Sequence, residues 1–348
     1  MDDLIFENLK IQQNIDFGKM TTMKLGGIAR FFVVVKSVDD FRTALRFSKE
    51  QNLPIFILGG GSNTIVKTEK FAGLVIKNEI LGFEKVFEND EKVEFKINSG
   101  ENWNEFVRSS VFKNLSGCEA MVMIPGTVGA LPIQNVGAYG QEIADILKSV
   151  EVFEIKTGEI KNLSKAECNF LYRDSIFKND KKGEFFILAI NVELSKNAPK
   201  FPEYKNLREK LKKSGKNEDN LTAKDVMDAV VEIRSQKLPD PEVVANSGSF
   251  FKNAIISKEK ASELRKKYEN VPLFEFGDKY KIATGWLIDR AGLKGQEIAG
   301  FRIYTENALV LTNVSAENYE DLVVAREEIQ RVVEQKFGIK IEQEPLEI

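Results

Sequence analysis

Two glycine-rich segments of this chain are places where the main chain itself can do chemistry. The first, Gly59-Gly60-Gly61-Ser62-Asn63, follows the apolar run Ile55-Phe56-Ile57-Leu58. With no Cβ in the way, successive N–H groups of such a loop can gather around an anion; a plain tight turn is the alternative. The spacing matches neither the G-x-G-x-x-G fingerprint nor the G-x-x-x-x-G-K-[ST] loop. The second segment, residues 125–140, holds Gly126, Gly129, Gly137 and Gly140 among mostly apolar neighbours. A core helix does not tolerate so many glycines, and a surface loop is more polar. Backbone held close to a flat or phosphorylated ligand explains both features, and a structural crossover is the alternative.

Four side-chain positions follow. Arg173 sits in Tyr172-Arg173-Asp174-Ser175, which by itself reads as a surface ion pair or a packed guanidinium stem. Ser249, in Gly248-Ser249-Phe250-Phe251, lacks a G-x-S-x-G elbow, and the chain has His 0. It is a poor nucleophile, but it can give a proton to a strongly basic carbanion. Glu342 and Glu344 alternate with Ile339 and Ile341, which puts the acids on one face of a strand. The absence of histidine excludes Ser–His–Asp and Cys–His catalysis, a His-ligated metal and a flavin attached through histidine. Cys118 and Cys168 show no ligand spacing and read as reduced thiols of a cytoplasmic protein. No metal site is expected.

The elements that must carry these residues are legible from periodicity. Phe31 to Val35 reads as a strand, and Ser37 caps a helix that buries Phe41, Ala44 and Leu45. Pro54 precedes the Ile55–Leu58 strand. A helix is expected around Trp103, Phe106 and Val107, with strands from Val150 to Ile155 and from Phe185 to Leu194. Residues 195–220, rich in Lys and Asn, read as an exposed loop or joint. A helix follows Thr222, another runs from about Ser315 to Lys336, and Gly338 stops it. The 348 residues amount to roughly two to three domains. A net charge of −3 gives no electrostatic case for a nucleic-acid partner, and no apolar run is long enough to cross a membrane.

Taken in order, the motifs are far more specific than any one alone. The two glycine segments, Tyr172-Arg173-Asp174-Ser175, Lys237-Leu238-Pro239-Asp240-Pro241, Gly248-Ser249-Phe250-Phe251-Lys252-Asn253, Gly285-Trp286-Leu287-Ile288-Asp289 and Glu342-Gln343-Glu344 resemble the UDP-N-acetylenolpyruvoylglucosamine reductase family. The resemblance spans Phe17 to Glu344. It implies an α+β fold: a two-part FAD-binding domain of the vanillyl-alcohol-oxidase (PCMH) type plus a C-terminal α+β substrate-binding domain. The expected parts are residues 1–75, joined by the tail 338–348, then 76–220, then 221–337. It implies non-covalent FAD, NADPH as hydride source, and an enolpyruvyl UDP-sugar reduced in peptidoglycan precursor synthesis. The flavin contacts carry over to Leu58, Gly59, Gly60, Gly61, Ser62 and Asn63, and to Gly126, Val128, Gly129, Ala130, Ile133, Val136, Gly137 and Ala138. The catalytic residues fall on Arg173, Ser249 and Glu344. Tyr139, Tyr204, Lys237, Asn253 and Asn307 fall on substrate positions; Lys237 has helix capping as its alternative. The sequence departs from the family pattern at Gln343, where proline is usual, which makes Glu342 a rival to Glu344. Leu131 stands where small residues are usual.

Overall fold

Ser37 begins the first long helix as its sequence predicts. Its Oγ accepts the Asp40 N–H at 3.0 Å, while the Asp40 carboxylate takes the Lys36 N–H at 2.8 Å. The computed structural model describes residues 3–348, which divide into two compact units. The first comprises the chain up to Ile15 together with Ala29–Gly60 and Ala72–Ser235, and the second comprises Asp16–Ile28, Gly61–Phe71 and Gln236–Ile348.

The first unit is built on two five-stranded sheets. One has the order Leu4–Phe6, Leu9–Asp16, Ile28–Val35, Lys70–Asn78, Ile55–Leu58. The last two strands are parallel, with Leu58 opposite Lys77. The Val38–Glu50 helix makes the crossover from Ile28–Val35 to Ile55–Leu58, and the Lys70–Asn78 strand inserts between them. The other sheet is antiparallel, in the order Ile160–Ser164, Leu147–Glu154, Phe185–Ser195, Lys92–Asn98, Phe83–Glu88. Phe41, fully buried on the helix, joins the sheets. Its ring stacks on Phe186 at 3.9 Å and meets the edge of Phe153 at 5.3 Å. Burial of one such ring stabilises by about 2–3 kcal/mol. A separate core gathers around Trp103, Phe106 and Val107 of the Trp103–Phe112 helix.

Residues 195–220 correct the sequence reading. They include a helix, Lys205–Lys213, whose Leu207 and Leu211 are buried in that second core. Seven of its nine residues are polar or charged, so two leucines four apart are its whole apolar stripe, too narrow to show as a period. The next helix, Ala223–Lys237, starts at Thr222 as predicted, with Thr222 Oγ1 accepting the Asp225 N–H.

The second unit has its own core. A four-stranded antiparallel sheet runs Asn246–Ser249, Val310–Asn313, Phe301–Ile303, Glu297–Ile298, beside a three-stranded one of Ala254–Ile256, Lys279–Ile282 and Leu273–Phe276. The Tyr319–Phe337 helix buries Leu322, Ala325, Ile329, Val333 and Phe337. It is capped by Asn318, three residues later than expected from Ser315, and ended by Gly338 at φ +65°. Residues 339–344 make one bridge, Phe251 to Gln343, instead of a regular strand. The alternation is nevertheless real: Ile339 and Ile341 are buried and Glu342 is exposed.

Candidate active site

The two glycine segments come together, and the reason they are glycines is backbone proximity. A Cβ on Gly60 would lie 2.6 Å from the Gly126 Cα, and one on Gly59 would lie 2.6 Å from Thr127 Oγ1. The Gly126 Cα cannot withdraw without moving main chain, so glycines from distant parts of the sequence are fixed by one close approach. Leu58, fully buried, ends the strand that delivers the loop. Among the described residues, no acceptor takes the Gly60 N–H. A glycine cradle presenting an unpaired N–H fits the diphosphate of a dinucleotide.

In the second unit the loop continues through Gly61 at φ +69°, a backbone conformation that favours glycine. Its carbonyl accepts the Thr22 N–H, the Ser62 carbonyl accepts the Thr22 hydroxyl, and the Asn63 carbonyl accepts the Leu346 N–H.

The 125–140 segment folds as two 3-10 turns, Val128–Ala130 and Pro132–Gln134, followed by a tight Gly137–Ala138 and Gln141–Glu142 ladder. Val128 is buried and donates its N–H to the Glu101 carbonyl, and Gly129 donates to the Ser99 carbonyl at 2.8 Å. Ala130 is exposed, while Ile133, Val136, Gly137 and Ala138 are half-buried. Leu131, the departure from the family pattern, is buried in the second core of the first unit. Asn135, left-handed at φ +44°, organises the segment. Its amide donates to Glu142 at 2.7 Å and its Oδ1 accepts the Ala144 N–H.

Arg173 is planted on this segment. Its guanidinium donates to the carbonyls of Gly137 at 2.7 Å and Asn135 at 3.3 Å. Leu171 and Asp174 exchange backbone hydrogen bonds around it, so Tyr172 and Arg173 form the corner of a tight turn. Arg173 has φ +55° at the corner's second position, where a type II turn calls for glycine. Holding a residue with a Cβ there costs about 1–2 kcal/mol. Strain of that kind, kept in place by a carbonyl cradle, marks a residue whose direction matters.

Tyr139, itself at φ +52°, lies edge-on to Tyr204 with ring centroids 5.2 Å apart. Arg234, on the Ala223–Lys237 helix, lies near the Tyr139 hydroxyl and donates to the Met123 carbonyl at 3.0 Å. Its Nε is buried with no acceptor among the described residues. Burial pushes the Arg234 guanidinium down from its ordinary pKa and the Tyr139 phenol up. Sequence reasoning missed Arg234, which lies three residues before Lys237 and reads as one charge among several on an amphipathic helix. Lys237 is exposed at the last position of that helix.

In the second unit, Ser249 ends the Asn246–Ser249 strand just after Gly248 at φ +71°, and is half-buried. Its hydroxyl makes no hydrogen bond to a described residue. The C-terminal acids run alongside: the Glu344 N–H donates to the Phe250 carbonyl, and the Glu342 carbonyl accepts the Lys252 N–H. Glu344 is half-buried next to the serine's neighbour. Glu342 is 77% exposed and reaches Lys252 at 3.4 Å. Asn253 Oδ1 accepts the Thr284 N–H and Asn307 Oδ1 the Leu309 N–H, so each presents its NH2 elsewhere.

Proteins similar to this chain cover nearly its whole length. A family model described as an FAD binding domain matches residues 29–164. One described as the C-terminal domain of UDP-N-acetylenolpyruvoylglucosamine reductase matches residues 240–348. The UDP-N-acetylenolpyruvoylglucosamine reductases of Bdellovibrio bacteriovorus and Flavobacterium johnsoniae are each 38% identical over 338 residues, 97% of this chain and 99% of theirs. The crystal structure of UDP-N-acetylenolpyruvylglucosamine reductase from Thermus caldophilus shares the fold, with TM-score 0.67 at 21% identity over 97% of this chain and 99% of that one. Fold, cradle and domain matches define an FAD-dependent oxidoreductase with a separate C-terminal domain. The chain belongs to the UDP-N-acetylenolpyruvoylglucosamine reductase family.

Proposed function

We propose that this chain reduces UDP-N-acetylglucosamine enolpyruvate to UDP-N-acetylmuramate, with Arg173, Ser249 and Glu344 as its catalytic residues. The observation that carries the reading is full-length relatedness, 38% identity over 97% of the chain, to reductases of that name. The glycine cradle of residues 58–63 and 126–138 holds FAD, without a covalent link. Residues 1–75, 76–220 and the tail 338–348 serve the flavin, and residues 221–337 serve the sugar nucleotide. The chemistry FAD supplies when bound is a hydride, taken from NADPH and delivered to the outer carbon of the enol ether.

Negative charge then gathers on the inner carbon and the attached carboxylate. Arg173, whose guanidinium is held at a fixed angle by two carbonyls, stabilises that charge through charge-assisted hydrogen bonds. The carboxyl of Glu344 is the hydrogen-bond donor to the same anion when it carries a proton. Ser249, whose hydroxyl is not engaged by a described residue, gives its proton to the inner carbon and completes the lactyl ether. Tyr139, backed by Arg234, Tyr204, Lys237 and the NH2 groups of Asn253 and Asn307 hold the sugar and diphosphate.

The test separates the half-reactions. Stopped-flow reduction of the purified holoenzyme by NADPH, then reoxidation by the enolpyruvyl sugar nucleotide, should both run. A protein reduced by NADPH yet indifferent to that substrate would assign it to another acceptor.

A further inference from the structure

Lys77 is an odd residue for its place. It follows Leu74, Val75 and Ile76, all fully buried, and precedes the buried Asn78. An ammonium in such a strand requires a partner, and Lys77 forms no ion pair among the described residues. Instead its Nζ donates to the carbonyl of Gly59, the first glycine of the loop. Burial pushes its pKa below the ordinary lysine value, with Glu79 acting in the opposite sense. The next residue holds the other glycine segment: Asn78 donates to Ser99 Oγ at 2.8 Å, and the Ser99 carbonyl accepts the Gly129 N–H at 2.8 Å.

Peptide planarity gives the Gly59 contact a consequence. In a trans peptide the C=O and the following N–H point in opposite directions. Lys77, by fixing the Gly59 carbonyl toward itself, turns the Gly60 N–H the other way, and that N–H has no acceptor among the described residues. The loop Gly59-Gly60-Gly61-Ser62-Asn63 contains no cation of its own, whereas a dinucleotide diphosphate brings two negative charges. We propose that Lys77 is a positioning residue of the flavin site, orienting the Gly60 N–H and supplying the positive charge that the glycine loop lacks for the diphosphate of FAD. This inference rests on the flavin reading above.

The test is the FAD dissociation constant of the full chain, stripped of flavin and titrated by flavin fluorescence at low and high salt. Circular dichroism and thermal melts of the flavin-free proteins check folding. Lys77→Met should weaken FAD by about 10- to 100-fold, the range for hydrogen bonds to charged groups. Its salt dependence should also be shallower than that of the parent, because one cation is gone. Lys77→Gln, which keeps a donor without the charge, should lose affinity less and show the same shallow salt dependence. Lys77→Arg should stay close to the parent in both. A Lys77→Met protein that binds FAD as the parent does overturns the proposal. So does a loss with unchanged salt dependence, or one that Lys77→Arg shares in full, since each would mean packing alone. A parent protein that takes up no FAD overturns the flavin reading itself.

Discussion

Ser249 and Glu344 have distinct tasks in this account, and single substitutions separate them. Ser249 meets only the carbanionic product of hydride delivery, so Ser249→Ala should leave flavin reduction by NADPH unchanged. It should slow reoxidation by about 10²–10⁴-fold, the range for a lost proton donor. Stopped-flow on each half-reaction decides it, and an equal loss in both would make Ser249 structural. Glu344→Gln should lower turnover strongly while substrate still binds, and less than Glu344→Ala, because the amide keeps a donor. Glu342→Gln should be mild, since that carboxylate is 77% exposed and its link to Lys252 is a surface one. If Glu342→Gln is the impaired protein under single-turnover conditions, the assignment has the wrong acid. The link between flavin and protein is also a residue-scale matter. With His 0, and with Cys118 and Cys168 both fully buried, burial pushing the first thiol well up and the second to about 12, neither cysteine is a nucleophile. Acid precipitation should therefore leave all yellow colour in the supernatant, and colour retained in the pellet would contradict the non-covalent site. Motif order is what makes Arg173, Ser249 and Glu344 candidates from the sequence. Arg234 and Lys77 were not, because what distinguishes them is burial and a carbonyl partner, and a lone charged residue in a helix or strand carries neither in its spacing.

Elements with a wide apolar stripe or a capping residue were readable, and those held by one or two contacts were not. Ser37, Thr222 and Gly338 mark helix ends where the sequence places them, and Ile55–Leu58 has the expected limits. The Lys205–Lys213 helix escaped because only Leu207 and Leu211 anchor it. Leu211→Ala should therefore cost about 2–4 kcal/mol in chemical denaturation, the range for a buried leucine, and an unchanged midpoint would mean that the helix is not packed. The short turn Glu119–Met121 offers a pH test. Glu119 is 2% exposed and its carboxylate accepts from Gly117 N–H and from Gln141 Nε2. Burial is the largest influence and raises its pKa above the usual carboxylate value. The folded protein thus holds this proton where the unfolded chain has released it. The associated stability is present below the unfolded value of about 4.3 and is lost as pH rises through the raised one. Thermal melts of Glu119→Gln and the parent should differ least in acid and shift in favour of the substituted protein as pH rises toward neutral. A gap that narrows with rising pH would reverse the sign.

At the scale of the whole molecule, sequence order carried more than any local pattern. The motifs from Phe17 to Glu344 pointed to one family, and relatives covering 97% of the chain place it there. What order could not convey is which chain segments pack together. The first unit takes in Ala72–Ser235, including most of the Ala223–Lys237 helix, and the second draws Asp16–Ile28 and Gly61–Phe71 from early in the chain. Such exchanges are set by long-range packing, as where Leu346–Glu347 pairs with Thr64–Ile65. Among the described residues no helix is long and apolar enough to cross a membrane. The visible spectrum of the purified protein under anaerobic conditions decides whether the chain is this flavoenzyme. A yellow flavin band should appear that NADPH bleaches and that UDP-N-acetylglucosamine enolpyruvate restores in one stoichiometric turnover, with UDP-N-acetylmuramate formed. A colourless protein, or a bleached band that this substrate fails to restore, would contradict it.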